Sequence, residues 1–130
     1  MGMKNDDTAS EIFQLHSGVQ NPITNGKKVY TKYCLTCHQA DGSGVPNMTP
    51  PLIQTSFVLG DKEKIINIVL NGLKNVDIDD QTYNNAMPAL GSVLKDQEIA
   101  DVLSYVRNSF GNKASVVTLA EVKATRGKGK

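Results

Sequence analysis

Cys34-Leu35-Thr36-Cys37-His38 is the stretch on which the reading of this chain turns. The two cysteines of the chain stand three residues apart, about one helical turn, and a histidine follows the second directly. Upstream, NGKKVYTKY places Gly26, Tyr30 and Cys34 four apart, so all three share one face of a predicted helix that delivers Cys34 to whatever the motif binds. Downstream, QADGSGVPNMTPPLIQ is interrupted by Gly42, Gly44, Pro46, Pro50 and Pro51. Proline lacks the backbone donor and glycine loses entropy in regular structure, so a shaped loop is predicted there.

Three chemistries use two thiols and an imidazole at close range. A redox dithiol needs its CxxC after a strand and at a helix N-terminus, where the helix dipole lowers the attacking thiol's pKa. Here the motif follows a helix and runs into a loop, which is the wrong context. Structural zinc takes four closed ligands; the remaining nitrogen candidate is His16, and His38 beside Cys37 is poorly placed to share one ion with both sulfurs. Covalent haem gives every residue of the motif a task. The thiols of Cys34 and Cys37 add across the two porphyrin vinyl groups, and the imidazole of His38 points at the iron from the same side. The reading is therefore one haem c attached through Cys34 and Cys37, with His38 as a metal ligand. Aromatics at 5% with no Trp leave the core short of bulk, which a buried cofactor would supply.

A haem held from one side raises the question of the other. Candidates are Met48, Met87, His16, or an open position for a small gas or peroxide. Met87 comes 49 residues after His38, far enough to cross the ring, and Pro88 holds it extended. Met48 comes ten residues after His38, inside the loop that has to wrap the near side. Met87 is the expected second metal ligand. The ring nitrogen of His38 that faces away from iron needs an acceptor to fix orientation and basicity. The carbonyl of Pro50 is expected to provide it, with Pro46 and Pro51 as alternatives.

Outward from the motif, the elements are mostly helical. Thr8 and Glu11 have capping-box spacing before Ile12, Leu15 and Val19, predicting a short N-terminal helix ended at Gly18 and Asn21-Pro22. Asp61 opens a second helix with Ile65, Ile66, Ile68 and Val69 on its apolar face and Gly72 at its end. Residues 73–91 are turn-rich, with short β-like pieces at Val76–Ile78 and Gln81–Tyr83. Ile99, Val102, Leu103 and Val106 form the stripe of a helix running to about Ser109, with acids at its positive end. Thr118 to Val122 reads as one further helical turn, and the final RGKGK as disordered.

The net charge of +1 conceals a gradient. Residues 112–130 hold Lys113, Lys123, Arg126, Lys128 and Lys130 against Glu121, a basic tail expected to be solvated and mobile. It is too sparse for a nucleic-acid surface, which needs many basic groups on one face. No run approaches the ~20 apolar residues of a membrane span. The start MGMKNDDTAS has neither a hydrophobic leader core nor a cleavage site, and Met1-Gly2-Met3 reads as a start set before a mature sequence. The expected organisation is an N-terminal extension over 1–23, a single domain over 24–111 and the tail over 112–130.

The series Gly26, Tyr30, Cys34-x2-Cys37-His38, Gly42-Ser-Gly44-Val-Pro46, Pro50-Pro51-Leu52, Met87-Pro88-Ala89-Leu90 and EIADVLSYVR over 98–107 resembles the class I monohaem cytochromes c across residues 24 to 110. That resemblance implies an all-α fold whose first and last helices cross, with Gly26 allowing close approach and Tyr30 and Tyr105 packing beside it. Lys95 departs from the Ser or Thr that related sequences often carry, so Asp96 is expected to cap the last helix. The stretch from Tyr83 to Gly111, with VTLAEVKATR after it, is similar to bacterial cytochrome domains fused to copper nitrite reductases or serving quinoprotein dehydrogenases. The resemblance thus implies an electron carrier and not an enzyme, a monomer exchanging single electrons with redox proteins, free or as part of a larger oxidoreductase. His and Met together leave the iron no vacant position, which disfavours oxygen or peroxide chemistry. Lys27, Lys28 and Lys32 are candidates for steering an acidic partner, or are the wet face of the first helix. Because haem is attached outside the bacterial cytoplasm, the periplasm or the outer face of a membrane is the expected location.

Overall fold

The computed structural model describes residues 21–73, 76–79, 81–83 and 86–128. The expected N-terminal helix and His16 lie outside the described residues.

Helix α1 spans Pro22–Tyr33, starting earlier than the glycine spacing suggested. Pro22 opens it because proline's fixed φ suits a first turn whose N–H has no partner in any case. The Asn21 side chain caps that turn, accepting from the Ile23 N–H at 2.8 Å. A single turn, α2, follows at Leu35–His38, then α3 at Ser56–Leu59 and α4 at Lys62–Asn71. Asp61 caps α4 as expected, accepting from the Glu63 N–H at 3.1 Å. The two predicted β pieces form an antiparallel hairpin, β1 at Val76–Ile78 and β2 at Gln81–Tyr83, with Val76 in register with Tyr83 and Ile78 with Gln81. Helix α5 spans Asp96–Arg107 and α6 spans Leu119–Lys128. The fold is therefore helical with one small hairpin.

The pairing of α1 with α5 is the main helix–helix interface. Gly26 makes it possible: a Cβ there would run into the carbonyl of Asp101 and come within 2.6 Å of the Tyr105 Cβ. Tyr30, Tyr105 and Phe110 cluster beside this contact, with centroid separations of 5.5, 5.5 and 5.7 Å. Tyr30 and Tyr105 were expected there; Phe110 completes the cluster. Val29, Ile65, Ile66, Val69, Ile99, Val102 and Val106 supply the buried core.

Two expectations need correction. Asp96 does not cap α5: the Lys95 N–H donates to the Glu98 carboxylate at 2.8 Å, and Asp96 instead pairs with Arg126 at 2.6 Å. The basic segment expected to be a solvated tail forms α6, docked on α4 and α5 with Val122 fully buried. Thr118 and Glu121 cap it reciprocally, the Thr118 N–H donating to the Glu121 carboxylate at 2.8 Å and the Glu121 N–H to the Thr118 hydroxyl at 3.2 Å. Apolar burial of Val122 and Val117 outweighs the positive charge, which stays at the rim.

Candidate haem site

The C-terminus of α1 passes directly into α2. The Cys34 N–H donates to Tyr30 O at 2.9 Å, and the His38 N–H donates to Cys34 O at 2.9 Å. This single turn puts Cys34, Cys37 and His38 close together on one short stretch of backbone. Cys34 is half-buried and Cys37 exposed. Burial first, and then the neighbouring Cys37, push the Cys34 thiol up to about 11. That is opposite to what a dithiol nucleophile needs, so the structure agrees with the sequence context in setting redox thiol chemistry aside.

The glycine and proline loop after His38 folds back on itself. Val45 and Thr49 exchange hydrogen bonds of 2.8 and 2.9 Å, and the Leu52 N–H donates to Gly42 O at 2.7 Å. The result is that Pro50 O lies 3.0 Å from His38 Nδ1. A carbonyl only accepts, so Nδ1 carries the proton and Nε2 keeps its lone pair. His38 is 8% exposed, and its burial lowers its pKa, with the Pro50 bond acting more weakly in the other direction. Burial keeps the ring neutral, and the Pro50 bond leaves Nε2 as the nitrogen free to bind a metal.

Met87 arrives from a separate segment. Its N–H donates to Leu73 O at 2.6 Å and its carbonyl accepts from the Leu73 N–H at 3.0 Å. Immediately beyond, the Leu90 and Gly91 N–H groups donate to the carbonyls of Val69 and Leu70 at the end of α4, at 2.8 and 3.2 Å. The helix terminus thus uses its otherwise unpaired carbonyls to hold the Met87 segment.

Cys34, Cys37, His38, Pro50 and Met87 all line one cavity, whose remaining walls are mostly apolar and include Leu52, Val58, Ile68, Leu94, Val102 and Val106. Met48 is not among its lining residues and is 47% exposed. An apolar chamber with two thiols and an unprotonated imidazole nitrogen in one segment, and a thioether in another, matches the donor set and surface of haem c.

Residues 23–110 match the family model for cytochrome c. The chain belongs to the cytochrome c family. It therefore carries haem c, attached through the Cys34 and Cys37 motif, and transfers single electrons. This cytochrome is 36% identical over 106 residues to the alcohol dehydrogenase (quinone) cytochrome c subunit of Gluconacetobacter polyoxogenes, covering 80% of the present chain and 23% of that subunit. It is 33% identical over 126 residues to a cytochrome c-552 of Thermus thermophilus, covering 89% of this chain and 84% of that protein. The structure of the c-type cytochrome XoxG from Methylobacterium extorquens AM1 resembles it in fold, with a TM-score of 0.51, 19% identity and coverage of 82% of this chain and 66% of that one. The present cytochrome thus spans about a quarter of the dehydrogenase subunit's length and most of cytochrome c-552.

Several residues around the site escaped the sequence reading. Arg107 is 4% exposed and donates to Val58 O at 2.7 Å, Gly60 O at 3.2 Å and Ser115 O at 2.8 Å, holding α3 beside the cavity. The buried Asn112 side chain accepts from the Gln54 N–H at 2.6 Å and donates to Leu52 O and Val106 O, each at 2.8 Å. One helical turn was expected over Thr118 to Val122, and the capping-box spacing of Thr118 and Glu121 is a signal that could have extended it to the whole of α6. The partners of Arg107 and Asn112 lie up to 60 residues away and leave no local trace.

Proposed function

We propose that this cytochrome shuttles single electrons between redox proteins through an iron held by His38 Nε2 and the Met87 thioether, with Pro50 orienting His38. The observation that carries the proposal is the meeting of Cys34, Cys37, His38 and Met87 in one apolar cavity, with the outward nitrogen of His38 already matched to a carbonyl. When bound, haem c supplies a one-electron couple, and a thioether ligand with apolar surroundings favours its reduced state.

The residues of this chain do the rest. The Pro50 carbonyl fixes the rotation of His38 and raises its donor strength. Leu73 and the end of α4 hold the backbone of Met87 on both sides, so little needs to rearrange between oxidation states. Leu52, Val58, Ile68 and Val102 exclude water from the ring. Cys37 is exposed, which leaves one edge of the site open for electrons to enter and leave.

The relatives support a reading of the redox partners. Some are named as cytochrome c subunits of alcohol dehydrogenase (quinone), and others as cytochrome c-552. We infer a monomer that accepts electrons from a dehydrogenase, either as its dedicated carrier or as its cytochrome unit, in the periplasm or at the outer face of a bacterial membrane. Among the described residues no helix is long and apolar enough to cross a membrane. Lys27, Lys28 and Lys32 lie exposed along α1 and provide positive charge for an acidic partner.

The test is the optical spectrum of protein matured in a host that attaches haem. The oxidised form is expected to show the weak far-red sulfur-to-iron band, lost in Met87→Ala and retained in Met48→Ala. A Met87→Ala spectrum identical to that of the parent would overturn the ligand assignment. A parent spectrum without the band would point instead to an open-site enzyme or gas sensor.

A further inference from the structure

The segment from Gly111 to Lys128 lies beyond the stretch matched by the family model, yet it returns to the site. It touches in turn the loop after Pro50 through Asn112, the middle of α5 through Val117 and Ser104, and α4 through Glu121 and Lys62. Near its end stands Arg126, whose three guanidinium nitrogens each donate one hydrogen bond. Nη1 donates to Gly91 O at 2.7 Å, Nη2 to Leu94 O at 3.3 Å and Nε to the Asp96 carboxylate at 2.6 Å.

The placement of these three acceptors is what matters. Gly91 and Leu94 lie in the turn directly after Met87-Pro88-Ala89-Leu90, and Asp96 opens α5 where that turn ends. The upstream end of the Met87 segment is closed by the Leu73 pair, and its middle by the carbonyls ending α4. Residue 91 is then gripped from both sides, its N–H by Leu70 O and its carbonyl by Arg126. A planar guanidinium reaches three acceptors in a fixed fork, which a lysine ammonium does not do. The grip is only as firm as α6, and α6 is anchored by the fully buried Val122 and the buried Thr125.

We propose that Arg126 is a positioning residue for Met87: by tying the turn over 91–96 to the docked helix α6, it keeps the distal segment closed and the thioether on the iron. This rests on the reading of Met87 as a ligand. Arg126 touches neither the ring nor the iron; it acts through the backbone of the loop. The C-terminal segment thereby becomes part of the redox site, as a strap that sets how often the distal position opens.

Imidazole added to the oxidised holoprotein tests this, because it occupies the iron only when Met87 has left, so its apparent affinity scales with the open fraction. Arg126→Ala is expected to bind imidazole about tenfold more tightly than the parent, read from loss of the far-red band, while far-ultraviolet circular dichroism stays that of the folded protein. Arg126→Gln, which keeps a donor and loses the fork, is expected to fall between the two. Lys62→Ala removes a more distant anchor of the same strap, the 3.0 Å pair with Glu121, and is expected to lower the melting temperature while raising imidazole affinity by much less than Arg126→Ala. Equal affinities in the parent and both Arg126 variants would overturn the proposal. So would an equal rise in Lys62→Ala, which would mean general loosening. A parent protein without the far-red band would instead remove the Met87 reading, and this inference with it.

Discussion

Gly72 and Met87 are in such close backbone contact that no side chain fits between them. A Cβ on Gly72 would come within 2.6 Å of the Met87 carbonyl oxygen and 3.0 Å of the Ala89 nitrogen, and Gly72 has a φ of +81°. The glycine that ends α4 therefore also sets the position of the residue assigned as the distal ligand. Gly72→Ala is expected to destabilise the protein by about 1–3 kcal/mol and to weaken the far-red band of the oxidised form. Thermal unfolding and an oxidised spectrum on the same sample check both outcomes.

At the contact of α1 with α5, Gly26 leaves no room for a methyl group against Asp101 and Tyr105. Both obstructing atoms belong to one helix, and its backbone cannot swing away as a flexible side chain would. Gly26→Ala is expected to force the helices apart at a cost of about 3 kcal/mol, visible as a drop in melting temperature. An unchanged melt would show that the interface is looser than its geometry implies.

Arg107 is buried and satisfies three carbonyls from two segments. Truncation leaves Val58 O, Gly60 O and Ser115 O without this donor, so Arg107→Ala is expected to cost about 3 kcal/mol in denaturant unfolding. Arg107→Lys keeps the charge and loses the fork, and should recover only part of that loss.

Asp101 is a buried carboxylic acid at the same helix contact, accepting from Gln97 Nε2 at 2.8 Å. Burial raises its pKa, and the bonds from Gln97 and Asn25 oppose the rise without cancelling it. A carboxyl whose folded pKa lies above its unfolded one binds more protons in the native state. Its effect on stability is most favourable at acid pH and is lost as pH rises through the folded value. Asp101→Asn is expected to flatten the loss of stability that sets in as pH rises above the unfolded aspartate value of about 4, and to be neutral or stabilising at about pH 7. A parent and variant with parallel curves over this range would contradict the assignment.

The sequence by itself determined the chemistry and the elements whose causes are local. CxxCH names haem because the bond-forming atoms are neighbours in the chain, and the helices at 22–33, 62–71 and 96–107 are written in apolar spacing, caps and glycine stops. Even the hairpin at 76–83 was legible, from its β-like pieces in turn-rich surroundings. Tertiary structure alone decided which of three prolines faces His38, because a loop of glycines and prolines has no periodicity from which to read direction. It also decided the fate of the basic C-terminus. Composition predicts a solvated tail there, but one buried valine and a guanidinium with three acceptors in a distant turn make it a docked helix, and those partners meet only once the chain has folded.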